Sequence, residues 1–181
     1  MKKRKERLEK KKCSKEWQNL EGGRKQIREN DTFLSIASLT GVEEERKMGV
    51  PCKVEQDGKV YVDASILLEP EQWAYVLIHA RMHLVFDHWN AEKMPGYKRV
   101  ENGCEKWVAD CNIRLWNLAC DLYISRYLAS IHFGQDPYSY PFARQIRENA
   151  DELEIYQELV KLLHRGKLNL ADYYMDMMDL D

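Results

Sequence analysis

The sequence predicts an α+β domain, mostly helical, in which a small β-hairpin packs over a buried helix that carries two histidines. Three stretches carry that expectation. Gln56-Asp57-Gly58 stands between two short β-prone runs, 50–55 and 59–63, and an Asp-Gly pair in that setting is a strong hairpin signal. The stretch from Pro70 to Trp89 is apolar almost throughout and too long for a strand, so it reads as a helix buried on every side. A third apolar-rich stretch, from about Glu105 to Ser130, reads as a second long helix.

With 181 residues, 44% of them hydrophobic, five tryptophans and ten tyrosines, the chain can bury one substantial core. The charge is uneven. Residues 1–15 hold nine Lys/Arg against two Glu, a net of +7, so the chain's total of −2 leaves −9 for the rest. The expected organisation is a basic extension over 1–30 and one domain over 31–181. Lys2 to Lys12 could meet nucleic acid or an acidic partner, but no aromatic side chain precedes Trp17 to supply the stacking that single-strand binders add to charge. A solvated arm is the plainer expectation.

Cys13, Cys52, Cys104, Cys111 and Cys120 form no Cys-x-x-Cys pair, and their odd number argues for reduced thiols over a disulfide framework. No apolar run reaches the ~20 residues that span a bilayer, and no apolar stretch follows the basic start, so the expected location is the cytoplasm, without membrane contact.

In chain order, Glu21-Gly22-Gly23 is expected to interrupt the first helical pattern, and Asp31 to cap a short helix over 31–37. Pro51 suits a strand start or edge. Pro70 fits the first turn of the next helix, with Glu69 and Glu71 complementing the positive end of its dipole. Met94-Pro95-Gly96-Tyr97 and the stretch from Asp136 to Pro141 read as loops. An amphipathic helix from about Asp151 to His164, stopped by Gly166, closes the series.

The chemistry is expected on the buried helix. His79 and His83 are four residues apart, and a helix turning about 100° per residue stacks them on one face, where both imidazoles can grip one ion. The alternative is a pair of core histidines bonded to neighbouring carboxylates. Asp121, the one acid within the apolar run Trp116–Ile124, is the expected third ligand, since a buried carboxylate requires a cation or several donors. It could instead orient a histidine from behind. Two histidines and one carboxylate would leave a fourth position open, the catalytic arrangement. His88 is the alternative third ligand, but on a continuous helix it faces away from the pair, so it could reach the ion only if the helix turns near Asp87.

The order of hairpin, His-x-x-x-His helix, His88, a Trp-Asn-x-Ala-x-Asp helix (Trp116 to Asp121) and Glu152-Leu153-Glu154-Ile155-Tyr156 resembles the bacterial metallopeptidase domain found ahead of von Willebrand factor A-like domains. The resemblance covers roughly residues 30–165. It implies a zincin-like fold with the histidine helix beneath a small sheet, one Zn²⁺, and a peptide or protein substrate. It carries His79, His83 and Asp121 over as ligands, with Asn117 beside them. The family's glutamate, the base of His-Glu-x-x-His, falls on Ala80, which cannot take a proton. An engineered exchange, a natural pseudoenzyme and a base supplied from elsewhere all fit that alanine. Two functions follow: a zinc metallopeptidase that is inactive as written, or a noncatalytic, metal-stabilised module that binds protein or nucleic acid.

Overall fold

The computed structural model describes residues 14–38, 42–45, 47–173, 176 and 177. The basic arm Lys2–Lys12 and Cys13 lie outside them.

The chain is α+β, with the long helices forming most of the core. Helix α1 (Lys15–Arg28) starts at Ser14, whose hydroxyl accepts a hydrogen bond from the Trp17 amide, 3.3 Å. Leu20, Gly23 and Ile27 recur at helical spacing and face inward. Contrary to expectation, Gly22 and Gly23 do not break this helix. They let it approach the histidine helix: a Cβ on Gly23 would lie 2.6 Å from the Trp73 Cβ and 2.7 Å from the Ala74 amide nitrogen. The expected boundary at residue 30 therefore cuts through the core, because Leu20 and Ile27 of α1 are buried in it.

That contact predicts a measurable effect. Gly23→Ala should gain about 1 kcal/mol of helix propensity but lose about 1–3 kcal/mol to overpacking against backbone that cannot give. A net fall in Tm of a few degrees, roughly 2–4 °C per kcal/mol, is expected by thermal melting, with Gly22→Ala, which meets only the Pro70 ring at 3.1 Å, affected less.

A short helix α2 (Leu34–Ser38) follows, and Phe33 before it packs on Phe133 with ring centroids 4.4 Å apart. Strands β1 (Val42–Glu44), β2 (Cys52–Val54) and β3 (Val60–Val62) form a sheet in the order β1-β3-β2, with β1 parallel and β2 antiparallel to β3. The Asp57-Gly58 hairpin is where the sequence places it: Gly58 has φ +90° and donates its amide to the Glu55 carbonyl. Alternation sends Cys52, Val54, Val60 and Val62 into the core against the next helix.

Helix α3 (Pro70–Val85) opens with the Glu69 amide bonded to Gln72 Oε1 at 3.0 Å and is buried on all sides from Trp73 to His83. It stops in a Schellman turn. Asp87 takes a left-handed conformation, φ +57°, while its amide bonds the Leu84 carbonyl and the His88 amide bonds the His83 carbonyl. The turn reverses the chain and lays His88 back against the helix it has just left.

Residues 104–109, expected to begin a helix, instead form β5 (Cys104–Ala109), paired with β4 (Gly96–Glu101) in an exposed two-stranded ribbon. Asn102 and Gly103, both at positive φ, make its tight turn. Helix α4 (Ile113–Ser130) then begins at Asn112, whose side chain accepts from the Leu115 amide, 3.1 Å. Helix α5 (Glu152–His164) is held at its start by reciprocal bonds between Asp151 and Glu154 and packs Ile155, Leu159 and Leu162 against Leu115, Leu118 and Leu122 of α4. One face of α4 thus meets α5, and the other meets α3. Among the described residues no helix is long and apolar enough to cross a membrane.

Candidate metal centre

His79 and His83 point from α3 toward α4, where Asp121 meets them, and a fourth group joins from the far end of the chain. His79 Nε2 lies 3.5 Å from Asp121 Oδ1 and 3.5 Å from Asp176 Oδ2. His83 Nε2 lies 3.3 and 3.4 Å from the same two oxygens. All four residues are buried, and the donor atoms lie within 4.8 Å of one another. A tetrahedral ion with bonds of ~2.0–2.1 Å holds its donors ~3.3–3.4 Å apart, so the four histidine–aspartate spacings suit a shared ion.

His79 Nε2 and Asp121 Oδ1 are within hydrogen-bond reach at 3.5 Å, but hydrogen bonding among the four leaves polar atoms over. His83 Nε2 and Asp176 Oδ1 are buried and have no hydrogen-bond partner among the described residues, even though His83 Nε2 sits close to two carboxylates. Two carboxylates sealed from water beside each other are costly without a compensating cation. The electrostatics of the site reflect that conflict. Burial, followed by the charge of Asp176, raises the Asp121 carboxyl above its ordinary range. Burial is also the largest single influence on Asp176 and pushes it up, but the charge and hydrogen bonding of His83, with His79 and Asp121 added, together outweigh it and hold that carboxyl low. Burial alone would depress His83, yet Asp176 and Asp121 overcome it and lift the imidazole to about 9.

The cluster is braced from behind. Asn117 Nδ2 donates to Asp121 Oδ2 at 2.7 Å, and Asn117 Oδ1 accepts from the Met177 amide at 3.1 Å. The same asparagine therefore aims Asp121 and secures the backbone next to Asp176. The Val54 amide of β2 donates to the Asp176 carbonyl at 2.7 Å, and Met177 forms a parallel bridge with Val54. The sheet thus places Asp176, just as α3 and α4 place the other donors.

Sequence reasoning brought His79, His83, Asp121 and Asn117 to one place but missed Asp176. That omission changes the chemistry, because Asp176 stands where an open fourth position was expected. His88 is not a donor to the cluster. The helix does turn at Asp87, but the turn directs His88 Nδ1 to His83 Nδ1, 3.0 Å, and His88 Nε2 to Glu152 Oε1, 3.2 Å. Burial, more than the nearby histidines, pushes the His88 imidazole down to about 4 against the opposing pull of Glu152. Ala80 is buried beside His79 and offers no group that could carry a proton.

Among the described residues, a small cavity borders the cluster. A cavity of about 100 Å³ beside Asp121 is lined by Leu118, Tyr138, Ser139, Tyr140, Asp172 and Tyr173. A larger cavity of about 430 Å³ lies between the start of α1 and the stretches around Glu44 and Ser65, and none of the four donors lines it. Sites for drug-sized ligands commonly enclose ~300–1,000 Å³, so the space beside the cluster is small for a polypeptide.

Comparison with known proteins finds no matching family model, no matching curated protein and no matching solved structure.

Proposed function

We propose that this chain is a zinc-binding domain on a zincin-like peptidase scaffold, in which the metal site holds the fold together and peptide hydrolysis is disabled. The observation that carries this reading is the convergence of His79, His83, Asp121 and Asp176 at donor spacings of 3.3–3.5 Å. Two imidazoles and two carboxylates suit Zn²⁺, and four protein donors make a closed set of the structural kind. When bound, Zn²⁺ would supply positive charge to the two buried carboxylates, and Lewis acidity only if one donor gave way.

The residues around the site argue against turnover. Asp176 takes the position a substrate would need, Ala80 has no carboxylate to move a proton, and the cavity at Asp121 is small. General acid–base help is worth about 10²–10⁴-fold, so the absence of a base at Ala80 alone would leave little activity.

The test combines elemental analysis with digestion of a denatured-protein substrate. Protein purified without chelator should contain one zinc per chain and show no chelator-sensitive cleavage. Asp121→Ala should lose more metal than Asn117→Ala, which removes only a brace. Ala80→Glu should stay inactive while Asp176 is present, and the Ala80→Glu/Asp176→Ala double variant should gain chelator-sensitive cleavage if the scaffold is of peptidase type. Cleavage by the unaltered chain would mean that another residue serves as base. Absence of stoichiometric metal would remove the reading altogether.

A further inference from the structure

We propose that His88 and Glu152 are positioning residues that set the tautomer of His83, so that His83 presents a bare Nε2 to the metal cluster. The inference rests on reading that cluster as a metal site, and it assigns a task to a buried histidine and a half-buried glutamate that the cluster itself does not use.

The assignment follows from counting hydrogens along one chain of contacts. Glu152 Oε1 lies 3.2 Å from His88 Nε2, and a carboxylate only accepts, so His88 Nε2 carries a hydrogen. His88 is buried, one hydrogen on Nε2 meets Glu152, and a second on Nδ1 would make a buried cation facing another ring nitrogen, so Nδ1 is left bare. That bare nitrogen lies 3.0 Å from His83 Nδ1, and two ring nitrogens this close need one hydrogen between them. His83 must supply it. A neutral His83 with its hydrogen on Nδ1 has a lone pair on Nε2, the atom 3.3 Å from Asp121 Oδ1 and 3.4 Å from Asp176 Oδ2. The opposite order would set a bare His88 nitrogen against the Glu152 carboxylate, acceptor against acceptor.

Each link is placed by a separate part of the fold. The left-handed residue Asp87 turns His88 back onto α3. Trp116 Nε1 on α4 donates to the His88 carbonyl at 3.0 Å and fixes the backbone beneath the ring. Glu152 is the first residue of α5, held in place by the Asp151/Glu154 bonds. The docking of α5 is thereby joined to a metal ligand on α3. Outer partners of this kind commonly govern metal affinity by about 10–100-fold.

The test uses the full chain, uniformly ¹⁵N-labelled, with zinc as the titrant. Long-range ¹H–¹⁵N correlation of the histidine rings should show His88 protonated at Nε2 and bare at Nδ1 with and without zinc. With zinc bound, His83 should be protonated at Nδ1. By competition with a chromophoric chelator, His88→Leu should weaken zinc binding by about 10–100-fold. His88→Gln should recover most of that loss, since its amide can accept from His83 and donate to Glu152. Glu152→Leu should weaken binding and leave the His88 tautomer mixed. Equal zinc affinity for His88→Leu and His88→Gln would overturn the proposal, as would a bare His88 Nε2. Failure of the unaltered chain to bind zinc would overturn the metal reading instead, and the metal-free spectrum of His88 would still decide the hydrogen-bond order.

Discussion

Stripping the metal from the folded protein is expected to lower its Tm by roughly 8–16 °C, the consequence of losing about 4 kcal/mol when a site saturated a thousandfold above its Kd is emptied. The effect is large because a bound ion would tie together elements that are far apart in sequence: α3 through His79 and His83, α4 through Asp121, and the segment bridged to β2 through Asp176. Removing it also leaves two buried carboxylates facing each other with the two imidazoles and the Asn117 amide to offset them. Calorimetry with and without chelator measures the shift, and returning zinc should reverse it. A chelator-insensitive melt would mean that these donors are held by packing alone.

The metal-free and metal-loaded proteins should respond to pH in opposite directions. In the metal-free fold, burial works to lower His83, but Asp176 and Asp121 raise it to about 9, above the 6.5 of an unperturbed imidazole. A raised pKa contributes stability that is complete below pH ~6.5 and lost as pH climbs through ~9, amounting to at most about 3 kcal/mol. The Tm of chelated protein should thus fall by several degrees between pH 6.5 and 9.5. In the loaded protein the ion displaces that proton, so apparent zinc affinity should rise by about tenfold per pH unit as pH approaches 9. Melts across this range with and without zinc decide the matter. Parallel pH profiles would show that His83 carries no proton for the metal to displace.

The parts of this fold that were legible in the sequence are those written in local pattern. The Asp57-Gly58 hairpin, the apolar run of α3 and the capped start of α5 each follow from spacing within one element, as does the shared face of His79 and His83. Asn102-Gly103 carried the same kind of turn signal. Trp107, Val108 and Cys111 could be joined to the helical pattern of α4, so β5 was absorbed into the expected helix. Gly22-Gly23 read as a break because glycine disfavours helix. Its role here is to admit Trp73, a contact fixed only when α1 and α3 meet.

Asp176 lay beyond local reasoning for a related reason. Nothing in Asp176-Met177-Met178-Asp179 marks one acid over another. What selects Asp176 is long-range pairing, with Val54 holding its carbonyl and Asn117 holding the next amide. His88 shows the opposite case. Its fate was conditional on a turn at Asp87, and the turn is present, but it sends the ring behind His83.

The most direct test of the central claim is a crystal structure of the zinc-loaded protein with anomalous differences recorded at the zinc edge. One peak is predicted, ~2.0–2.2 Å from His79 Nε2, His83 Nε2 and one oxygen each of Asp121 and Asp176. No peak among these residues, or a peak coordinated by His88 in place of Asp176, would contradict the account.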